Sequence, residues 1–163
     1  MKKTDQFNRI YQDHAAKVLK LCKGYFYGDE DQASDAVQEV FINIWQHLDT
    51  FRNESSVSTW IYRITVNTCL LHLRKLSGKK EIRTPVVPET ADTSYSYEEE
   101  RLQQMYACIR KLDESNKVII LLVLEGVEYK EIANVIGISE ETLRVKIYRI
   151  KKNLTNCVQH GNV

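Results

Sequence analysis

Arg144, Lys146, Tyr148, Arg149, Lys151 and Lys152 fall within nine positions that hold no acidic residue. Their chemistry is that of polyanion recognition. An arginine fork can donate twice to a guanine edge, ammonium groups can hold phosphates, and an aromatic ring can lie against a base. The competing reading is a basic helix end that only complements its own dipole. Catalysis has no comparable set, because the sequence contains no HExxH, no GxxxxGK[ST] and no GxSxG. Cys22, Cys69, Cys108 and Cys157 lie far apart with no CxxC pair, so reduced, semi-buried thiols are expected rather than a disulfide framework. The tetrapeptide CLLH at 69–72 offers one Cys and one His, too few for a tetrahedral metal site. Neither a metal nor a cofactor is expected, and any redox sensing is assigned to a partner.

The basic cluster belongs to a larger alternation that the net charge of +1 conceals. Residues 29–54 carry seven acids and one base, and 60–83 carry six bases and one acid. Residues 98–141 carry ten acids and five bases, and 142–152 carry five bases alone. Such blocks are usually solvated surface. Two acidic-then-basic alternations in a chain of 163 residues also fit partners of opposite sign, nucleic acid for the basic blocks and protein for the acidic ones.

The elements that position these groups read as helices throughout. Phe7, Ile10, His14, Val18, Leu21 and Tyr25 keep a three-four spacing, as do Val37, Val40, Phe41, Ile44, Trp45 and Leu48. The opposite face of the second helix holds Asp35, Gln38, Glu39, Ile42 and Gln46, one apolar residue among polar ones. A third helix runs from about Val57 to Leu76 and ends at Gly78, with an inner stripe of Trp60 or Ile61, Ile64, Thr68 and Leu71. A neighbouring face carries Arg63, Asn67, Leu70 and Arg74. Residues 77–97 contain both prolines, a glycine and many Ser and Thr, the composition of a linker. Further helices are expected over 98–111, 114–125, 128–136 and 140–154. The run VIILLVL at 118–124 is apolar all round, which suits a helix enclosed in the core. The expected fold class is all-α: two small helical domains, 1–76 and 98–163, joined by a flexible linker.

In the last two helices Ala133 supplies the small residue needed at a close crossing. Gly137 permits positive φ, Ser139 can cap the final helix, and Glu140 and Glu141 suit the positive end of its dipole. That combination is a helix-turn-helix, whose second helix enters the major groove. Repressors and response-regulator output domains use the same device, so this motif by itself leaves the class of regulator open. The longest apolar run is far short of the roughly 20 residues that a membrane span needs. The N-terminal segment lacks the apolar core of a signal peptide. A cytoplasmic protein without membrane insertion is expected.

The first half resolves the class. Residues 31–75, with the motifs DAVQEVF and STWIYRITVN, resemble the second conserved region of bacterial RNA polymerase sigma factors of the extracytoplasmic-function group. The second half, with YKEIANVIGIS, resembles that group's fourth region. The resemblance implies a non-enzymatic factor that binds core RNA polymerase and directs promoter recognition, melting and initiation. Asp35, Gln38, Glu39 and Ile42 would dock on the clamp helices of the β′ subunit, and the helix over 114–125 on the flap of the β subunit. Phe51, Arg52, Asn53, Ser55 and Ser56 would form a pocket for a flipped base of the minus-ten element. Asn67 would touch an adjacent base, and Arg63, Arg74 and Lys75 would hold phosphates. Trp60 is read as packing. The minus-thirty-five element would meet Arg144, Val145, Lys146, Tyr148, Arg149 and Lys152, with Val145 against a thymine methyl. Family members often have Gly where Asn53 stands. An anti-sigma factor is a further candidate partner. The remaining alternative is a stand-alone DNA-binding regulator that never enters polymerase.

Overall fold

The computed structural model describes residues 2–78 and 96–160, and all regular structure among them is helical. Helix α1 spans Lys3–Tyr25, α2 Glu30–His47 and α3 Val57–Gly78, with a single 3₁₀ turn at Leu48–Thr50. Helices α4 (Tyr97–Arg110), α5 (Glu114–Leu124), α6 (Tyr129–Ile136) and α7 (Glu140–His160) follow. The expected linker lies mostly outside the described residues; at its edges Ser77 and Gly78 are still helical and Tyr97 already opens α4. Helix starts follow local chemistry. Asp29 accepts from the Asp31 and Gln32 amides, Ser96 from Glu99 and Asp113 from Asn116, satisfying amides that the first turn would otherwise leave unpaired.

In the first half α1, α2 and α3 pack around Val18, Leu21, Tyr25, Val40, Ile44 and Ile61, all wholly buried. The stripes expected on α1 and α2 hold, except that Trp45 sits at the rim with its ring perpendicular to that of Phe7 and Lys3 above it. Helix α3 departs from expectation. Its buried side chains are Thr59, Ile61, Tyr62, Thr65, Val66, Thr68 and Cys69, whereas Leu71 is 52 % exposed. The helix has neighbours on two sides, α1 and α2 on one and α6 on the other, so a single-faced periodicity cannot describe it. Thr65 and Thr68 tolerate burial because their hydroxyls donate to the Ile61 and Ile64 carbonyls at 2.8 and 2.7 Å.

The second half is built on α5. Val118 to Leu122 are all buried, while Leu124 is half exposed. One side of α5 meets α6 and α7 through Ile132, Leu143 and Ile147; the other meets α1 of the first half. There a Cβ at Gly24 would stand 2.6 Å from Leu121 Cδ2, so glycine sets how closely α1 and α5 approach. The expectation that the apolar run is enclosed in the core holds, but the enclosing surface comes from both halves.

The cysteines correct the sequence reading. Cys108 of α4 and Cys157 of α7 are joined by a disulfide with Cα atoms 6.0 Å apart and a sequence separation of 49. Their types and spacing gave no sign of this, because the pairing depends on α4 lying along α7. Closing a loop of that length restricts the unfolded chain by about 4 kcal/mol. Cys22 and Cys69 are free thiols, wholly buried rather than semi-buried, with sulfurs 3.6 Å apart. Hydrogen bonding to Cys22 and burial together push the Cys69 thiol far above its ordinary range.

Tyr25 lies in the same core, and its hydroxyl finds no hydrogen-bond partner among the described residues. Burial raises its pKa well above the usual tyrosine value, with the neighbouring Cys69 and Cys22 adding to the effect. A buried hydroxyl without a partner costs about 1–3 kcal/mol of desolvation. Tyr25→Phe is therefore expected to leave the fold unchanged and to stabilise it by about 1 kcal/mol, read as a higher urea midpoint at constant m-value. A loss of stability would mean that the hydroxyl is satisfied in solution.

Candidate nucleic-acid interface

The turn between α6 and α7 forms as its residues dictate. Gly137 adopts φ +83°, and its amide donates to the Ala133 carbonyl at 2.8 Å. Ala133, 5 % exposed, is the small residue at the crossing of the two helices. The Ser139 hydroxyl accepts from the Thr142 amide at 3.1 Å and donates to the Thr142 hydroxyl. Leu143, Ile147, Ile150 and Leu154 turn inward along α7. This packing leaves Arg144, Val145, Tyr148, Arg149 and Lys152 exposed, one or two helical turns apart on one face. Tyr148 is 68 % exposed and Val145 49 %, a surface that packing within this chain does not explain. Lys146, expected on that face, is half-buried. Arg144 is ion-paired with Glu140 one turn earlier at 3.2 Å, a surface pair worth at most about 1 kcal/mol and easily exchanged for a base edge.

In the first half, Phe51 and Trp60 stack with centroids 4.7 Å apart and ring planes 30° apart. Trp60 is half-buried and packs. Beside this pair the loop exposes Arg52, Asn53 and Ser56, while Ser55 is half-buried. Asn53 has φ +57°, a left-handed conformation that glycine and asparagine adopt most readily. Asparagine thus meets the same backbone demand that glycine would. The Ser56 hydroxyl accepts from the Thr59 amide and donates to the Thr59 hydroxyl, so it starts α3 while holding the loop against it.

Helix α3 turns Arg63, Asn67 and Arg74 toward the second half. The Arg63 guanidinium donates to the Asn134 carbonyl of α6. Arg74 grips both carboxylate oxygens of Glu114 at 3.2 and 3.0 Å. A cleft of about 270 Å³ is lined by Arg63, Val66, Asn67, Ser115, Val118, Val135 and Ile136. The Arg74 hydrogen bonds hold the Glu114 carboxyl below its usual pKa. Lys75 is exposed. At the other end of the contact, Tyr27 sits in a left-handed turn at φ 54°. Lys117 donates to its hydroxyl at 2.7 Å, and the Arg110 guanidinium lies 5.2 Å from its ring centroid. Lys117 meets the ring at its hydroxyl end, so this contact is a hydrogen bond rather than a cation–π one. Sequence reasoning missed Tyr27, Arg110, Glu114 and Lys117, since no periodicity marks a contact between separate helical units.

The acidic face of α2 divides. Asp35, Gln38 and Ile42 are exposed, with Ile42 at 54 %, and fall three and four residues apart on one side. Glu39 turns toward α3 instead and pairs with His72. Neither the apolar stripe nor the resemblance that grouped Glu39 with the other three shows that His72 reaches across from α3. No three Cys, His, Asp or Glu residues cluster to hold a metal among the described residues, and no described helix is long and apolar enough to cross a membrane.

Known proteins share this arrangement. The family profile described as Sigma-70 region 2 matches residues 10–78, and that described as Sigma-70, region 4 matches 102–154. The ECF RNA polymerase sigma-E factor of Escherichia coli K12 is 31 % identical over 176 residues, covering 98 % of this chain and 91 % of the relative. That of Haemophilus influenzae is 29 % identical, covering 94 % of this chain and 87 % of the relative. Among solved structures, the sigma factor RpoE in complex with the anti-sigma factor NepR from Bartonella quintana superimposes with TM-score 0.70 at 19 % identity, over 97 % of this chain and 99 % of that one. CnrH in complex with the cytosolic domain of CnrY gives TM-score 0.69 at 20 % identity, over 96 % and 90 %.

Arg74 and Glu114 are both solvent-exposed, so the contact between the halves should be adjustable. Glu114→Gln is expected to raise the radius of gyration and its sensitivity to salt, measured by small-angle scattering, without loss of helix content. Acid should act in the same direction. The ionised carboxylate holds the contact above the ordinary carboxylate range and releases it as pH falls through the depressed Glu114 value. An unchanged radius in the variant would mean that apolar packing alone keeps the halves together.

Proposed function

The chain belongs to the extracytoplasmic-function group of RNA polymerase sigma factors, and from that membership we propose how its own residues carry out promoter recognition and transcription initiation. Sigma factors of this family are not enzymes; they lend core polymerase its promoter specificity. The observation that carries the residue assignment is the capped helix α7. It presents Arg144, Val145, Tyr148 and Arg149 outward although its own core is complete. This helix enters the major groove of the minus-thirty-five element. Arg144 leaves Glu140 to read a guanine edge, Val145 meets a thymine methyl, and Lys152 holds phosphate near the far end. Half-buried Lys146 reaches the backbone along the side of the groove.

The Phe51–Ser56 loop takes an unstacked base of the minus-ten element. Phe51, backed by Trp60, forms the wall of the pocket, and Arg52, Asn53 and the two serines supply polar groups for the base edge and its phosphate. Arg63, Asn67, Arg74 and Lys75 track the strand along α3. Residues 1–76 act as the first module and 98–163 as the second, with the segment between them as the tether. Three of the four strand-tracking side chains face the second half in the closed arrangement, so the modules part when polymerase and promoter are engaged. The exposed face of Asp35, Gln38 and Ile42 docks on the clamp helices of β′, with Glu39 orienting α3 through His72. The exposed end of α5 at Leu124 meets the flap of β. The solved RpoE structure carries the anti-sigma factor NepR, and a partner of that kind would act here by holding the modules closed. The working location is the cytoplasm, beside polymerase.

Run-off transcription with purified core polymerase tests this reading. The chain alone is expected to bind promoter duplex weakly, and core enzyme to confer specific open complexes. Tight, sequence-specific duplex binding without polymerase would instead identify a stand-alone regulator.

The two ends of α7 should behave differently. Arg144→Ala is expected to cost about 1–3 kcal/mol at one promoter position, whereas Lys152→Ala weakens all promoters alike and flattens the salt dependence. Footprints on a panel of minus-thirty-five variants at two salt concentrations distinguish the effects. Uniform weakening by Arg144→Ala would move base reading to Tyr148 and Arg149.

A further inference from the structure

We propose that Cys108 and Cys157 form a reversible thiol–disulfide site, oxidised by a low-molecular-weight disulfide, which sets how firmly α4 and the last turns of the recognition helix are held together. The effect on transcription rests on the sigma-factor reading; the site itself does not.

The four cysteines occupy two pairs with different chemical prospects. Cys22 and Cys69 are adjacent but wholly buried, with the Cys69 thiol held far from ionisation. No reagent in solution reaches them, and the thiolate that exchange requires is disfavoured. Cys108 and Cys157 are placed otherwise. Cys157 is half-buried near the end of α7, and Cys108, 7 % exposed, faces it from α4 with the Cα atoms 6.0 Å apart. A disulfide in a protein that works beside polymerase forms against the reducing poise of the cytosol, where such bonds are mostly transient. That setting favours a switch over a permanent staple.

The elements it joins are the loosely held ones. Helix α4 buries only Cys108 and Ile109. The last inward-facing residue buried on α7 is Leu154, so 155–160 have no fully buried side chain. When the bond is broken, α4 keeps its apolar contact through Ile109 and Met105, and the end of α7 only the half-buried Val158 at the edge of a groove. When it is formed, the far end of α7, one turn beyond Lys151 and Lys152, is fixed against a second helix. A reading helix ordered in advance loses less freedom on binding, so the oxidised form is the more active one.

The chemistry balances as thiol–disulfide exchange. The Cys157 thiolate attacks one sulfur of the small disulfide and expels the other half as a thiolate, which takes up a proton. The Cys108 thiol gives up its proton and attacks Cys157 Sγ, expelling the second half. Two protein thiols are oxidised to one disulfide, and one small disulfide is reduced to two thiols.

The full chain is treated with oxidised glutathione or with dithiothreitol, freed of reagent, and mapped by mass spectrometry after alkylation in denaturant. The expected result is a Cys108–Cys157 cross-linked peptide only after oxidation, with Cys22 and Cys69 alkylated in both samples. Amide exchange over 97–110 and 155–160 should slow severalfold on oxidation, and Cys157→Ser and Cys108→Ser should each abolish the difference. A cross-link through Cys22 or Cys69, a stable glutathione adduct, or exchange indifferent to oxidation would overturn the site. In run-off transcription with untreated core polymerase, oxidised chain should give severalfold more transcript than reduced chain, and Cys157→Ser should be indifferent to pretreatment. Equal transcript from both forms of the wild type would overturn the regulatory role. No transcript from either form, with the cross-link and exchange as expected, would count against the sigma-factor reading while upholding the site.

Discussion

In the closed form helix α5 buries six consecutive residues, Lys117 to Leu122, and so draws cover from both halves. It is covered on more than one side, and α6 and α7 of the second half provide only part of that cover. The rest comes from α1, where Gly24 lets Leu121 approach as no larger residue would. That contact draws the two halves together. It thereby decides what α3 faces, which of its cations are engaged, and where the cleft between α3, α5 and α6 lies. Even Lys117 conforms: its stem is buried with its apolar neighbours and its ammonium emerges at the Tyr27 hydroxyl.

Apolar burial fixes the geometry of the closed form, and solvated charges make it reversible. Arg74 with Glu114 and Arg63 with the Asn134 carbonyl are surface contacts of the kind that contribute little each. Their arginines are the groups proposed to follow a nucleic-acid strand, so protein acid or carbonyl and phosphate compete for the same cations. The alternation of acidic and basic blocks along the chain is the sequence trace of this competition. On α7 the same logic appears within one helix, where Glu140 occupies Arg144 until a better acceptor arrives.

The thiols follow a similar division between interior and edge. The core pair contributes packing beside the Tyr25 hydroxyl, which has no partner among the described residues. The edge pair ties α4 to the last turns of α7, where no side chain beyond Leu154 is fully buried. One residue type thus serves two purposes, and access to solvent makes the difference.

The sequence by itself determined the helices, their order and the character of the recognition helix. These depend on neighbours three or four positions apart: the Ser139 cap, the Gly137 turn, and the stripe of Leu143, Ile147, Ile150 and Leu154 all formed as their spacing required. The motifs also carried the family, because they combine local pattern with fixed order. Tertiary structure decided whatever depends on one helix meeting another. It turned Leu71 outward and Tyr62 inward on α3, drew Glu39 from the acidic face of α2 to His72, and tucked Lys146 partly under. It also brought Cys108 to Cys157 across 49 residues. Periodicity reports that a helix has an apolar face; it does not report how many neighbours share that face, or which distant side chain arrives beside it.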